Sequence, residues 1–145
     1  MKNKSKQIDP KVGQVAEGKT LDFLDASSIR PQELKVFEFE SKEQLIKIKT
    51  KEFSAVCPFS GLPDIAFVEI NYYPYTGKAL ELKALKYYFL SFRNVGIYQE
   101  GVTHKIHKDL CKILGHKKVS VRTTYNTRGG IDVVCIEGDK KAFTV

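Results

Sequence analysis

The fold is decided by the stretch Ile65-Ala-Phe-Val-Glu-Ile-Asn-Tyr-Tyr73, which is followed by Pro74. Its β-branched and aromatic residues predict a strand, and the proline ends that strand because it lacks a backbone N–H for a neighbouring strand. Upstream, from Leu45 to Lys51, isoleucine and threonine alternate with lysine. This period of two is typical of a half-exposed strand. The two segments therefore predict two strands with a loop between them.

A pair of helices is predicted after these strands. Leucine and phenylalanine recur at helical spacing between Leu80 and Arg93, which predicts a first amphipathic helix. A second apolar stripe ends at Gly115, and a glycine there is typical of a helix C-cap. The predicted buried positions are Leu82, Leu85, Phe89 and Phe92 in the first helix and Val102, Ile106, Leu110 and Ile113 in the second.

Two more strands are predicted near the C-terminus. Apolar residues and threonine alternate with polar residues from Val119 to Tyr125, residues 127–130 form a turn, and Ile131 to Ile136 form a last strand. The order ββααββ predicts an α+β fold in which an antiparallel sheet carries a helix pair on one face. So small a sheet leaves two open edges, so we expect subunits to join edge to edge into a larger closed assembly.

Length and composition predict a single domain. The chain has 145 residues, of which 42% are hydrophobic, enough to bury one core but hardly two. The first residues, 1 to about 18, are polar and without periodicity. We therefore divide the chain into a partly flexible N-terminal arm, 1–40, and a folded domain, 41–145. Two short apolar pieces, Leu21–Leu24 and Val36–Phe39, could tether the arm.

The pattern of charged and apolar residues bears on location and partners. No apolar run approaches the roughly 20 residues of a membrane-spanning helix, and the lysine-rich N-terminus has no apolar stretch behind it. We therefore expect a cytoplasmic protein without a membrane partner. The formal net charge of +7 would suit nucleic acid, a membrane surface or a phosphate-bearing cofactor. Because most lysines are scattered, plain solubility is favoured over nucleic-acid binding.

The loop between the first two predicted strands contains a cysteine and an aspartate seven residues apart. It runs Cys57-Pro-Phe-Ser-Gly-Leu-Pro-Asp64, and its two prolines and one glycine predict a stiff turn whose ends face each other. A thiolate is a strong nucleophile, and a nearby carboxyl group can supply a proton to the anion that develops. Cys57 and Asp64 are therefore candidate catalytic residues. The alternative is a buried loop cysteine beside a turn aspartate.

The other two cysteines have weaker interpretations. His104, His107 and Cys111 share one face of the second helix and could bind zinc, but a structural zinc site wants a fourth ligand. We favour a solvated helix face and no metal. Cys135 alternates with apolar residues in the last strand and is expected to be a small core residue. Three widely spaced cysteines fit no disulfide framework.

Basic residues supply candidate contacts to anions. Lys83 and Lys86 lie three residues apart on one helix face and could hold a phosphate as two point charges. Arg128 precedes Gly129 and Gly130, where close backbone approach is easy, and could add a bidentate contact. From the residues alone, ordinary surface lysines on a helix are the favoured explanation.

Taken together, these residues resemble the QueF family, the NADPH-dependent 7-cyano-7-deazaguanine reductases of queuosine biosynthesis. The resemblance covers roughly residues 45 to 136. It includes Cys57 with Asp64, the tract Glu81-Leu-Lys-Ala-Leu-Lys-Tyr-Tyr88, the run Ser91-Phe-Arg-Asn94, Glu100 and the segment Thr127–Ile131. The resemblance implies the tunnelling fold, whose ββααββ units pair into barrels and assemble as rings. In the family these rings are pentamers, and two pentamers can pair as a decamer.

The resemblance also implies a reaction and roles for individual residues. A cysteine thiolate attacks the nitrile carbon to give a covalent thioimide, and two hydrides from two NADPH molecules then produce 7-aminomethyl-7-deazaguanine. Cys57 matches the family's nucleophile and Asp64 its proton donor. The implied substrate-binding residues are Leu80, Glu81, Leu82, Gln99 and Glu100, and the implied cofactor-binding residues are Lys83, Lys86 and Arg128.

Two positions depart from the family pattern. Most of the family has histidine just before Glu100, where this chain has Gln99, and relatives often have histidine after Asn94, where this chain has Val95. An amide cannot titrate, so glutamine can substitute if the histidine only positions substrate by hydrogen bonding. If the histidine shuttles protons, we expect slower turnover or a substitute such as His104.

Two other functions compete with that of a reductase. A thioimide-forming amidinotransferase of the same family lets ammonia attack in place of hydride, and it should not need the lysine-bearing tract Glu81–Tyr88. A basic RNA-binding module is favoured only by net charge, and the chain lacks aromatic-glycine RNA motifs. The sequence therefore favours an NADPH-dependent nitrile reductase with a small deazaguanine substrate, acting as a homo-oligomer without direct contact to nucleic acid.

Overall fold

The computed structural model describes residues 21–140, so the predicted polar arm over residues 1 to 18 lies outside the described residues. The described chain contains six strands and two α-helices. They are β1 Val36–Glu38, β2 Ile46–Val56, β3 Pro63–Tyr72, β4 Lys78–Leu80, α1 Leu82–Leu90, α2 Gln99–Leu114, β5 Val119–Tyr125 and β6 Val134–Gly138. Neither of these two described helices is long and apolar enough to cross a membrane.

The main sheet has four antiparallel strands in the order β2-β3-β5-β6, so β2 and β6 are its edges. Both helices pack on one face of this sheet, and the core lies between the two layers. The predicted α+β architecture and the order ββααββ are confirmed. The structure adds a two-stranded pair, β1 with β4, which local patterns could not show because each strand has only three residues.

The β2–β3 hairpin positions the predicted catalytic loop. The lysines of the first half of β2 are exposed, as the alternation predicted. A bulge between Thr50 and Phe53 adds one residue to β2, which keeps the apolar side chains of both halves on the helix-covered face. Beyond the bulge the register continues to Val56 opposite Pro63. The loop 57–62 therefore lies at one end of the sheet.

The first helix is shorter than predicted. Leu80 belongs to β4, and α1 begins after Glu81, whose side chain caps its first turn. Leu82 was predicted to be buried but is 60% exposed. The buried face of α1 consists of Ala84, Leu85, Tyr88 and Phe89. Leu82 lies about 90° around the helix from the centre of that face, which explains its exposure.

The second helix follows its predicted pattern. Val102, Ile106 and Leu110 are buried in the core. Gly115 forms the C-cap with φ of 77°, a left-handed conformation that glycine adopts without steric cost. Leu114 is buried in the last turn, whereas Ile113, predicted to be buried, is half-buried.

The last strand begins later than predicted. Ile131 is 66% exposed and lies in the β5–β6 turn, where it pairs with Arg128. The two glycines between them have positive φ and form a tight turn of the kind that closes hairpins, so the strand resumes only after it. Cys135 pairs with Thr123 and is half-buried. The prediction that Cys135 is a core residue is therefore wrong, because β6 is an edge strand.

Residues 21–40 pack against the sheet and helices. Ile29 and Leu34 belong to the core, with exposures of 4% and 6%. Leu24 forms a bridge with Val95 in the segment that joins α1 to α2. This part of the chain therefore shares the core of the domain. The division of the chain at residue 40 stays a prediction.

Candidate functional site

The loop 57–62 joins β2 to β3 as a tight turn. The N–H of Cys57 donates to the carbonyl of Leu62 at 2.9 Å, and the N–H of Gly61 donates to the carbonyl of Cys57 at 2.8 Å. Gly61 has φ of 71°, which glycine adopts without a Cβ clash. These bonds extend the hairpin by one residue pair. Cys57, a half-buried free thiol, therefore lies at the end of a strand.

Asp64 lies on the opposite strand of this hairpin. It pairs with Ala55, two residues before Cys57. Cys57 and Asp64 are therefore diagonal neighbours on one face, a separation of about 7–8 Å between residues and somewhat less between their Cβ atoms. Asp64 is buried, with an exposure of 4%. The hairpin register therefore brings the two predicted catalytic residues to neighbouring positions.

A buried carboxylate needs charged or hydrogen-bonding partners, and Asp64 has both kinds. The guanidinium Nη1 of Arg128 forms an ion pair with its Oδ1. The amide Nε2 of Gln99 donates to the same oxygen at 3.4 Å. The structure thus places the guanidinium of Arg128, a predicted cofactor-binding group, against the carboxylate of Asp64, the predicted proton donor.

Gln99 is the first residue of α2 and occupies the position where most of the family has histidine. Its backbone carbonyl accepts hydrogen bonds from the hydroxyls of Thr103 at 3.2 Å and Tyr125 at 3.4 Å. Burial raises the pKa of the Tyr125 hydroxyl, which therefore keeps its proton and donates. Glu100 follows in the first turn of α2 and is exposed. The side chain of Gln99 thus donates a hydrogen bond to Asp64, which an amide can do without titrating.

A cleft of about 450 Å³ opens beside the Cys57 loop. It is lined by Phe23, Asp25, Pro58, Gly96, Ile97, Tyr98 and Gly101. A Cβ at position 96 would lie 2.1 Å from the ring of Phe23, so this ring packs directly on the glycine backbone. Apolar and aromatic walls of this kind suit a flat heteroaromatic ring. No local pattern identifies Phe23, because it precedes the cysteine by 34 residues.

The other predicted substrate residues lie at the opposite end of the sheet. The N–H of Leu80 donates to the hydroxyl of Tyr72 at 2.9 Å. Tyr72 ends β3, eight residues after Asp64, a distance of about 26 Å along an extended strand. Leu80, Glu81 and Leu82 line a second cleft there, of about 430 Å³. Within one chain, the structure does not bring these three residues to Cys57.

Glu81 already has partners within its own helix. Its Oε1 accepts from the N–H of Lys83 at 2.9 Å and its Oε2 from the N–H of Ala84 at 2.7 Å. These backbone hydrogen bonds hold the pKa of Glu81 below its usual range. The carboxylate therefore orders the start of α1, beside Leu80 and Leu82. A direct contact between Glu81 and substrate stays a prediction.

The predicted cofactor lysines lie on the exposed face of α1. The ammonium of Lys86 pairs with the carboxylate of Glu52 at the bulge of β2, and this contact lowers the pKa of Glu52. Both side chains are exposed, so the pair is weak and sensitive to salt, and Lys86 can exchange it for a phosphate. Lys83 and Arg128 add two more cations. Cations of these kinds hold phosphates in proteins, and a joint contact of the three residues with cofactor phosphates stays a prediction.

The histidines and cysteine of α2 have other partners than a metal. Nδ1 of His104 lies 3.3 Å from a carboxylate oxygen of Glu137. Nε2 of His107 lies 3.0 Å from the carbonyl oxygen of Val119 and 3.5 Å from Sγ of Cys111. Burial raises the pKa of the Cys111 thiol. Among residues 21–140, no group of three or more His, Cys, Asp or Glu side chains is placed to hold a metal ion.

Three relatives of the chain share one name. NADPH-dependent 7-cyano-7-deazaguanine reductases from Thermotoga petrophila and Thermotoga maritima are each 56% identical over 116 residues, which cover 80% of this chain and 85% of theirs. The protein of that name from Caldicellulosiruptor bescii is 46% identical over 95 residues, 66% of this chain and 72% of its own.

A solved structure and a family model agree with these relatives. The apo crystal structure of the archaeosine synthase QueF-Like matches with a TM-score of 0.59 over 64% of this chain and 90% of that one. At 24% identity, this match supports the tunnelling fold alone. Residues 63–143 match the family model described as QueF-like protein. Since that match spans more than half of the chain and the Thermotoga relatives are more than half identical to it, the predicted family is confirmed, and the chain belongs to the QueF family.

Proposed function

We propose that this protein is an NADPH-dependent reductase that converts the nitrile of 7-cyano-7-deazaguanine to the amine of 7-aminomethyl-7-deazaguanine, in queuosine biosynthesis. The observation that carries the proposal is the pairing of a half-buried thiol, Cys57, with a buried carboxyl group, Asp64, in a chain 56% identical to reductases of that name. A nitrile requires both groups, because its carbon takes a nucleophile and its nitrogen takes a proton.

The first step attaches the substrate to the protein without an external reactant. The sulfur of Cys57 bonds to the nitrile carbon while one carbon–nitrogen π bond breaks. Asp64 carries the thiol proton to the nitrogen. The resulting thioimide contains every atom and electron of its two reactants. Because the carboxyl group is diagonal to the thiol in the hairpin register, one side chain can serve both ends of this proton transfer.

Two NADPH molecules supply the two hydrides that bring the carbon from the nitrile to the amine level. Lys83 and Lys86 would hold cofactor phosphates as point charges, and Arg128 as a planar fork. With the first reduction Asp64 passes one further proton, taken up from solvent, to the nitrogen, and the second hydride completes the amine without another proton. Between the two reductions the carbon–sulfur bond breaks, the nitrogen lone pair forms a protonated imine, and the sulfur of Cys57 leaves as a thiolate. A proton from solvent then restores the thiol of the first step.

The cleft beside the loop accommodates the deazaguanine ring. Phe23 and Tyr98 offer aromatic surface to the ring faces. Glu100, exposed in the first turn of α2, offers carboxylate oxygens to the N–H groups of the guanine-like edge. Gln99 keeps Asp64 in place by hydrogen bonding. Since this task needs no titrating group, glutamine can replace the usual histidine.

A second copy of the chain completes the site in this proposal. Leu80, Glu81 and Leu82 lie at the Tyr72 end of β3, and Tyr72 is about 26 Å from Asp64 along that strand. In this proposal only those of a neighbouring copy contact a substrate at Cys57. The edges at β2 and β6 offer surfaces through which copies can join. We propose closed rings, pentamers that pair as decamers. The cytoplasmic location and the lack of a membrane or nucleic-acid partner stay predictions.

The test of this function uses the purified protein, 7-cyano-7-deazaguanine and NADPH, with absorbance of the reduced cofactor followed over time. We expect substrate-dependent oxidation of two NADPH molecules for each amine formed. Mass spectrometry without cofactor should show a nitrile adduct, absent in Cys57→Ala. Cys111→Ala is the matched control and should keep the adduct. An adduct without NADPH oxidation, converted by ammonia to an amidine, would replace the reductase with the amidinotransferase.

A further inference from the structure

We propose that Arg128 alternates between two anions, the carboxylate of Asp64 in the free enzyme and a phosphate of the bound cofactor, so that cofactor binding releases the proton donor. The proposal rests on the proposed function, which requires both a proton donor and a phosphate-bearing cofactor. Its basis in the structure is the ion pair that joins the two side chains.

The ion pair and the proton transfer make opposite demands on Oδ1 of Asp64. This oxygen accepts from the guanidinium of Arg128 and from the amide of Gln99. A guanidinium only donates, so it cannot accept a hydrogen bond from a protonated carboxyl group. An amide has a donor and an acceptor end, so Gln99 can serve either state of Asp64. Arg128 is therefore the contact that occupies Oδ1 only as a donor, and its departure frees this oxygen to carry the proton.

The position of Arg128 in the fold allows this exchange. Its side chain is 36% exposed, whereas that of Asp64 is 5% exposed, so the arginine is the member that faces solvent. It is followed by Gly129 and Gly130, both with positive φ, and a Cβ at either position would meet no atom within 4 Å. An anion can thus approach this turn closely. The guanidinium fork matches carboxylate and phosphate alike.

This arrangement gives Arg128 the task of a positioning residue. In the free enzyme it holds the buried carboxylate of Asp64, which would otherwise lack a counter-ion among the contacts described for it. With cofactor present, the phosphate competes for the same fork. Linkage is reciprocal: the factor by which bound cofactor weakens the Arg128–Asp64 pair is also the factor by which that pair weakens cofactor binding. Removing the charge of Asp64 should therefore strengthen cofactor binding.

The experiment measures binding of oxidised NADP⁺, which carries the phosphates but donates no hydride, by calorimetry on the full-length protein. We expect Asp64→Asn to bind NADP⁺ about fivefold or more tightly than the unchanged protein, within the usual range of coupling between sites. On an Arg128→Gln background, Asp64→Asn should change the affinity little. On a Lys83→Gln background, which weakens cofactor contacts but keeps the ion pair, the tightening should persist.

Each outcome bears on the proposal separately from the reductase function. If NADP⁺ binds the unchanged protein and Asp64→Asn does not tighten it, the exchange is refuted while the reductase function stands. Tightening that persists in Arg128→Gln would also refute it, because the effect would then be a general one of charge. If the unchanged protein neither binds NADP⁺ nor oxidises NADPH in the presence of the nitrile, both the exchange and the reductase function are refuted.

A second measurement uses the unchanged protein first. The rate of nitrile adduct formation at Cys57 is followed by mass spectrometry in the unchanged protein, with and without saturating NADP⁺. We expect NADP⁺ to accelerate the adduct about fivefold or more, again as a coupling between sites. In Arg128→Gln the rate of adduct formation should be the same with and without NADP⁺. An equal rate in the unchanged protein with and without NADP⁺ would overturn the exchange.

Discussion

The two ends of the sheet handle polar groups in different ways. At the Cys57 end, the carboxylate of Asp64 is held by side chains, Arg128 and Gln99, which can exchange partners. At the Tyr72 end, the Tyr72 hydroxyl and the Glu81 carboxylate both accept from backbone N–H groups, which hold β4 and the start of α1 in place. Polar side chains can therefore change partners at the Cys57 end, whereas backbone hydrogen bonds fix the Tyr72 end.

The largest effect is expected when one end of the sheet is inactivated in one variant and the other end in a second variant, and the two variants are then mixed. Cys57→Ala should lose activity by several orders of magnitude, because it lacks the nucleophile. Leu82→Asp should raise the KM for the nitrile strongly, because it places a charge in the apolar wall. Mixing the two variants after dissociation should restore part of the NADPH oxidation, since a mixed pair contains one intact site. If mixing restores nothing while both variants still associate, the two ends do not form one site.

The next effect concerns the proton donor at the Cys57 end. Asp64→Asn should lower kcat by about 10²- to 10⁴-fold, the usual contribution of a positioned acid or base. Because the asparagine keeps the shape of the side chain, non-covalent binding of 7-cyano-7-deazaguanine should remain within a few-fold, as measured by calorimetry. Wild-type turnover in this variant would remove Asp64 from the proton transfer.

A buried acid far from both ends provides the contrast between stability and activity. The hydroxyl of Tyr88 donates to Asp109 at 2.7 Å, and burial, with the charge of Asp109, raises the pKa of Tyr88. Tyr88→Phe should lower the free energy of unfolding by about 1–3 kcal/mol, because it leaves a buried carboxylate oxygen without this donor. Tyr87→Phe, at an exposed neighbour, should change it little. Denaturant unfolding measures both, and equal stabilities would contradict the prediction.

The smallest effect is expected at the exposed ion pair of α1. Glu52→Gln frees Lys86 for phosphate and should lower the KM for NADPH by about twofold to fivefold, a size typical of exposed charge pairs. The difference should shrink at high salt. Glu69→Gln is the control, because Glu69 pairs with Lys49 and Arg122 on the main sheet. A KM that is equally lowered by both substitutions would indicate a general charge effect.

The predictable parts of the fold and site are those in which the decisive residues are neighbours in the chain. The alternation in β2 and β3, the C-cap at Gly115 and the turn between Cys57 and Asp64 all follow from residues within one segment. The β1–β4 pair, the late start of β6 and the exposure of Leu82 do not. Each depends on what a short segment meets across the fold, which local periodicity does not record.

The sequence by itself determined the order of the main-sheet strands and the two helices, the family and the thiol–carboxyl pair, because repeating patterns and closely spaced motifs encode them. Only the tertiary structure decided that Phe23 lines the cleft beside Cys57, that Arg128 lies on Asp64, and that Leu80 to Leu82 lie at the far end of the sheet. These arrangements join residues far apart in the chain. Sheet register and helix packing set them, and those are properties of the whole core.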